Sequence, residues 1–162
     1  MVTFRPFTNS DRNWVQQSNL AFYQSAHKFD ETFATVLAQA LDHLEEKSND
    51  RTSTYLIAQT PNGPVGSIFL SSENKTTARI RLFYIAKAHR GKGIGAQMLL
   101  LVLTDARTSG FDLVRVSTFN RHLEAAHLYE KCGFYLTSQT PTEAFGQSMY
   151  QLDYELALSL CA

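Results

Sequence analysis

Arg90-Gly91-Lys92-Gly93-Ile94-Gly95 is the stretch on which the reading of this chain turns. An apolar strand predicted over 79–86 leads into it, and a helix predicted over 93–109 opens inside it. A helix N-terminus presents unpaired N–H groups and the positive end of the helix dipole. Glycine lets the backbone approach a ligand closely and adopt conformations closed to other residues. Arg90 and Lys92 add positive charge. Together these features predict a phosphate or pyrophosphate site.

Two familiar phosphate loops fit poorly. A P-loop needs Gly-x-x-x-x-Gly-Lys-Ser/Thr, and the chain has no such run. Gly91, Gly93 and Ala96 match the dinucleotide pattern G-x-G-x-x-A formally. Lys87-Ala88-His89-Arg90 nevertheless separate the strand from the glycines, and Thr118-Phe119-Asn120 stands where an acidic residue is expected after the next strand.

Outward from the loop, the elements alternate in type, which favours a mixed α/β sheet. Val2 to Phe7 reads as a strand, followed by a helix capped by Ser10 or Asp11 and running to about Ser25. Asp30 is expected to cap a second helix, with Phe33, Val36, Leu37, Ala40, Leu41 and Leu44 at helical spacing. Strands at 54–59 and 65–71 flank the turn Pro61-Asn62-Gly63. In the strand before the loop, Ile80, Leu82, Tyr84 and Ala86 are predicted on one face, and Phe83 and Ile85 on the other. Short turns make this meander antiparallel. In the helix after the loop, Ile94, Met98, Leu101 and Val102 form a stripe that Leu99, Leu100 and Leu103 widen. A strand at 113–118, a helix at 122–132 ending at Gly133, and strands near 134–140 and 148–156 complete the chain, with a parallel crossover across the helix at 93–109. One domain over 1–162 is expected.

Composition narrows the function classes. The 162 residues are 44% hydrophobic and 19% charged, with 15 basic and 15 acidic side chains. Zero formal charge gives no support to a nucleic-acid or membrane-surface binder. The longest apolar run, Met98 to Leu103, is far short of the ~20 residues that cross a bilayer. Cys132 and Cys161 are too widely spaced for a metal signature and read as free thiols. The five histidines do not cluster with acids or cysteines, so no metal is expected. The expected location is the cytoplasm.

The loop and its surroundings resemble the GNAT (GCN5-related) N-acetyltransferases. Arg90, Gly93 and Gly95 match that family's Arg/Gln-x-x-Gly-x-Gly/Ala pattern in register, which favours Arg90 over Lys92. Leu82-Phe83-Tyr84-Ile85 resembles the family's fourth strand. Asn120, Ala125-Ala126 and Leu128-Tyr129-Glu130-Lys131-Cys132-Gly133-Phe134 resemble its second motif, at the right distance downstream. The resemblance covers residues 54 to the end well and the first fifty weakly. The final segment is also similar to the acetyltransferase half of bacterial MarR/GNAT fusion proteins.

The resemblance implies a GNAT fold: a mostly antiparallel sheet splayed between strands 4 and 5, flanked by about four helices. It implies acetyl-CoA as cosubstrate, with Arg90, Gly91, Lys92, Gly93, Ile94 and Gly95 around the pyrophosphate. It places backbone groups of Phe83, Tyr84 and Ile85 along the pantetheine arm and Asn120 in contact with that arm. Tyr129 would protonate the leaving thiolate, since a tyrosine is protonated at neutral pH. The implied reaction is direct aminolysis of the thioester in a ternary complex, without a metal. The acceptor is an amine-bearing small molecule or protein, and a homodimer through the late strands is compatible with the alternating last strand. The fourth strand carries Arg79 and Arg81 and no acid, so a glutamate base is missing there. Glu73, Glu31, Glu143 and His27 qualify only by chain region. That absence keeps a second reading open: a non-catalytic acyl-CoA-binding sensor. Tyr129 is equally placed to be a packed core tyrosine, and Asn120 to cap the next helix. Tyr23, Phe29, Phe33 and Phe145 could line an acceptor pocket or fill the core.

Overall fold

In a computed structural model, which describes residues 1–158, four helices pack on a seven-stranded sheet. The elements are β1 (Thr3–Pro6), α1 (Arg12–Ala26), α2 (Thr32–Glu46), β2 (Thr54–Thr60), β3 (Gly63–Ser72), β4 (Thr77–Ile85), α3 (Ile94–Thr108), β5 (Leu113–Phe119), α4 (Leu123–Lys131), β6 (Tyr135–Ala144) and β7 (Gln147–Ala157). The strand order is β1-β2-β3-β4-β5-β7-β6, and only the β4–β5 pair is parallel. The predicted element order and the crossover through α3 are both present. Cys161 lies outside the described residues.

Helices cover both faces of the sheet, so β3 is buried without interruption from Val65 to Ser71. On one face α3 and α4 enclose Met98, Leu99, Val102, Val116 and Tyr154. On the other, α1 and α2 enclose Val15, Phe33, Leu37, Leu41, Ile57 and Phe69. Each fully buried aliphatic side chain here contributes roughly 1.5–3 kcal/mol. The apolar face of α3 is narrower than its sequence suggests. Leu100 and Leu101 are 57% and 43% exposed, because only the stripe through Ile94, Met98, Leu99, Val102, Leu103 and Ala106 meets the sheet.

The start of α1 also differs from expectation. Asp11 ends a short 3-10 turn, and its carboxylate points backwards. It accepts two hydrogen bonds from Arg5, at 2.8 and 2.7 Å, and one from the Thr8 N–H at 2.9 Å. Asp30 behaves nearly as predicted: its carboxylate accepts the Thr32 N–H at 3.0 Å, one residue ahead of the helix boundary.

One irregularity shapes the functional region. The β3–β4 register shifts between Ser67 and Phe69, and Leu82 opposite has φ +49°. A leucine in the left-handed region is strained. The buried Ser67 hydroxyl donates to the Leu82 carbonyl at 3.0 Å and fixes the bulge. The bulge breaks the predicted alternation. Ile80 packs toward α3, Leu82 packs on the α1/α2 side, and Phe83, Ile85 and Ala86 return to the α3 side. Just ahead of it β4 has already left β5: their pairing stops at Arg79↔Arg115. The β5-facing edge of β4 past Ile80 is therefore free of strand partners.

Candidate functional site

The gap between β4 and β5 opens into a cleft of about 360 Å³ on the α3/α4 face. The Gly91–Gly93 turn forms one end of it. Gly91 has φ +74° and Gly93 has φ +81°, conformations that side chains with a Cβ rarely adopt. An added Cβ at either glycine would meet no atom within 4 Å, so the turn faces open space. Gly93 is the N-cap of α3, and its carbonyl accepts from the Gln97 N–H at 3.0 Å. The N–H groups of Ile94, Gly95 and Ala96 precede the first intrahelical donor and point toward the turn. A concave turn of free amides at a helix start suits an anionic group.

The structure gathers eight of the ten residues expected around the nucleotide. Phe83, Tyr84, Ile85, Arg90, Gly91, Gly93, Ile94 and Gly95 all line the cleft. Lys92 is exposed and is not part of the lining. Asn120 is not part of it either. Its backbone N–H donates to the Tyr150 carbonyl at 2.9 Å, and its side-chain oxygen accepts the Tyr150 N–H at 2.9 Å. These contacts tie the end of β5 to β7.

Arg90 is held in place by several contacts. Its Nε donates to the Ile85 carbonyl at 2.8 Å, and its guanidinium lies 4.5 Å from the Phe22 ring centroid. Glu124 approaches it at 3.9 Å and is 74% exposed, so that ion pair is weak. Arg90 thus fixes the end of β4 while its charge stays at the cleft.

A second, smaller cavity of about 130 Å³ lies across the splay, on the α1/α2 face. Tyr23, Phe29, Phe33, Phe119 and Tyr129 supply much of its wall. Phe145 closes the cluster behind them, 4.8 Å from Phe29 and 5.0 Å from Phe33 between ring centroids. Phe145 and Gly146 both have positive φ, as in a type I′ hairpin turn. The Asp30 N–H donates to the Phe145 carbonyl at 2.8 Å, which docks the β6–β7 turn onto the α1–α2 loop. Lys28 in that loop, with φ +58°, is another non-glycine residue in the left-handed region.

Phe83 and His122 line both spaces and therefore mark their junction. The His122 ring sits 5.5 Å from Phe22 and 5.5 Å from His27. Burial, then His27 and Arg90 nearby, bring its pKa down to about 4, so it is neutral at pH 7. Burial, with Arg121 and Arg90, also lowers His27. Sequence reading weighed His122 only as a metal ligand. The available signal was its position immediately before the helix that carries Tyr129.

Tyr129 is 3% exposed and lines the smaller cavity rather than the cleft. Its ring also contacts Phe83, Phe134 and Tyr154, so it is a packed residue with access to the cavity. Burial, then the neighbouring Tyr23, push its phenol far up, which keeps it protonated. Tyr23 is pushed up to about 12 by burial. The Cys132 thiol is also raised by burial, which makes it a poor nucleophile. The acids named by chain region stand elsewhere. Glu73 pairs with Arg79 at 3.2 Å, Glu143 accepts from Ser148 at 2.9 Å, and Glu31 precedes α2.

Comparison with known proteins agrees with this geometry. The chain is 34% identical over 80 residues to human N-acetyltransferase 8B, across 48% of this chain and 35% of that protein. It is 23% identical over 128 residues to Escherichia coli streptothricin acetyltransferase, across 79% of this chain and 74% of that one. It thus spans about a third of the first relative's length and three quarters of the second's. The structure of yncA from Salmonella typhimurium with its cofactor acetyl-CoA superposes with a TM-score of 0.81 at 18% identity, over 99% of this chain and 96% of that one. Residues 15–134 match the Acetyltransferase (GNAT) family. With its splayed β4–β5 pair and glycine turn at a helix start, the chain belongs to that family.

Proposed function

We propose that this protein transfers an acetyl group from acetyl-CoA to a primary amine. The observation that carries the reading is the continuous lining from the Gly91–Gly93 turn to the junction at Phe83 and His122. It offers an anion cradle, a free strand edge and an aromatic chamber in series. The residues present fit acetyl-CoA. The turn amides and Arg90 would hold the pyrophosphate. The unpaired edge of Phe83, Tyr84 and Ile85 would run beside the pantetheine arm. Acetyl-CoA supplies an activated acyl group, and an amine in the smaller cavity attacks it directly.

The chain's own groups supply position and polarity. Ordering both reactants at one junction provides much of the rate. Backbone N–H groups on the free edge of β4 can stabilise charge developing on the carbonyl oxygen. Tyr129, held protonated by burial, is proposed as the donor to the leaving sulfur. His122, neutral and at the junction, is proposed to accept a hydrogen bond from the attacking amine; with a pKa of about 4 it is too weak a base to keep the proton, which passes on to solvent. Asn120 is proposed to act on the arm only indirectly, by fixing the end of β5 to β7.

The test is CoA release from acetyl-CoA, followed with a thiol reagent, across a panel of small amines, amino acids and peptides. The proposal expects release that depends on the amine. Binding of acetyl-CoA with no release from any amine would favour the non-catalytic sensor.

A further inference from the structure

The smaller cavity borders a cation without an ion pair of its own: Glu73 acts on Arg81 through space but is paired with Arg79. Arg81 lies on β4 beside the Leu82 bulge. It lines both this cavity and an open polar cleft on the same sheet face. Its neighbours are committed. Arg79 pairs with Glu73 at 3.2 Å and donates to Ser117 at 3.0 Å. Arg115 pairs with Glu155 at 2.7 Å. Asp153, the remaining acid of the polar cleft, accepts from Ser117 and Ser138 at 2.5 and 2.6 Å. Among the described residues no ion pair reaches Arg81, and its buried Nε has no hydrogen-bond partner. A buried donor left unmade is costly, and more so on a charged group.

The rest of the chamber agrees in sign. No Asp or Glu lines it. Besides Arg81, its polar walls are Asn19, Tyr23, Ser117, Thr118, His122 and Tyr129. The cations that act on His27 and His122 are Arg90 and Arg121, and no carboxylate acts on either. A polyamine would find no counter-charge here. A guanidinium binds a carboxylate with two parallel hydrogen bonds, from its two terminal nitrogens or, when the side chain turns to bring Nε to the cavity wall, from Nε and one of them. The volume, equal to about four waters at ~30 Å³ each, suits a small molecule.

We propose that the acceptor is a small amine bearing a carboxylate, an amino acid or a close analogue, with its carboxylate on Arg81 and its amine at the Phe83–His122 junction. This rests on the acetyl-transfer reading above and narrows its substrate class. Arg81 acts as a specificity residue, and Phe29 and Phe33 offer apolar contact to the acceptor's side chain.

The experiment compares matched pairs in the thiol-release assay, chosen to fit the cavity: glycine with methylamine, alanine with ethylamine, and spermidine as a polycation. It uses the full chain and the Arg81→Gln and Arg81→Lys variants, with acetyl-CoA affinity measured for each by calorimetry. The proposal expects kcat/KM at least about tenfold higher for the acids than for their decarboxylated partners. That preference should vanish in Arg81→Gln and survive in part in Arg81→Lys, with acetyl-CoA affinity unchanged. Faster turnover of the decarboxylated amines or of spermidine would overturn it, and so would a preference that persists in Arg81→Gln. If no amine is turned over, N-acetylglycine and N-acetylalanine are titrated into the CoA complex. Absence of binding overturns the proposal, and binding lost in Arg81→Gln supports it. Failure of the wild-type chain to bind acetyl-CoA would instead overturn the acetyl-transfer reading beneath it.

Discussion

The two faces of the sheet build their spaces by different means. On the α3/α4 face, the anion end of the cleft and one of its walls are made of backbone: two glycines at positive φ, the first amides of α3 and the strand edge left free where β4 parts from β5. On the α1/α2 face, the cavity is made of side chains: aromatic rings, His122 and Arg81. A backbone-built site tolerates many side chains and is specified over a short stretch. A side-chain-built site depends on identity at every wall and is assembled from distant segments. The first kind suits a cosubstrate shared across a family, and the second suits an acceptor that differs between members.

Changing the backbone site should produce the largest effect. In Gly93→Asp the new side chain has room, since no atom lies within 4 Å of its Cβ, so the fold should survive at about 1–2 kcal/mol for the positive φ. Its carboxylate would face the anion cradle, and acetyl-CoA affinity should fall by about a thousandfold, or about 4 kcal/mol. Calorimetry on the folded variant checks this, and unchanged affinity would erase the distinction between the faces.

The aromatic face should respond to pH instead. A histidine whose folded pKa lies below its unfolded value stabilises the fold above the unfolded pKa. That contribution is lost as pH falls, because the unfolded chain takes up the proton first. For His122 the window runs from 6.5 down to about 4 and amounts to about 3 kcal/mol at most. Urea unfolding between about pH 7 and about pH 4 should show it, and His122→Phe should flatten the slope. Asp11, whose carboxyl the Arg5 guanidinium holds below the usual range, loses its contribution only at more acidic pH. A slope unchanged in His122→Phe would remove the histidine from that role.

Tyr129→Phe sharpens the comparison, because Tyr129 lies on α4 yet lines the opposite cavity. Turnover should fall about a hundredfold while acetyl-CoA affinity holds. Normal kcat would leave Tyr129 as packing alone. The smallest effect is expected at the bulge between the faces. Ser67→Ala removes the hydroxyl that holds the Leu82 carbonyl and should cost about 1 kcal/mol in urea unfolding. No loss of stability would mean that the bulge is fixed by packing on β4.

How far the sequence could be read follows from the same contrast. Ten of the fifteen residues lining the cleft fall within 83–96, and local conformation there depends on glycine and helix-start residues visible in order, while His122 and α4 supply the rest. The element sequence was legible for the same reason: helical and alternating periodicities are local. The cavity takes residues from Asn19 to Tyr129, with Phe145 behind them, and only tertiary packing brings them together. Tyr23, Phe29 and Phe33 could be named from sequence, but not distinguished from ordinary core. The Leu82 bulge left no sign, since Leu-Phe-Tyr-Ile alternates as well in a regular strand. Leu100 and Leu101 misled because apolar residues on three sides of a helix do not reveal which side the sheet covers. His122 was missed because its meaning is positional.

The most direct test of the central claim is a calorimetric titration of acetyl-CoA into the purified chain, repeated with NAD. The account predicts one acetyl-CoA bound per chain, competition by CoA and no heat from NAD. No binding of acetyl-CoA, or binding of NAD in its place, would contradict the reading of the Gly91–Gly93 turn and the β4–β5 splay as an acyl-CoA site.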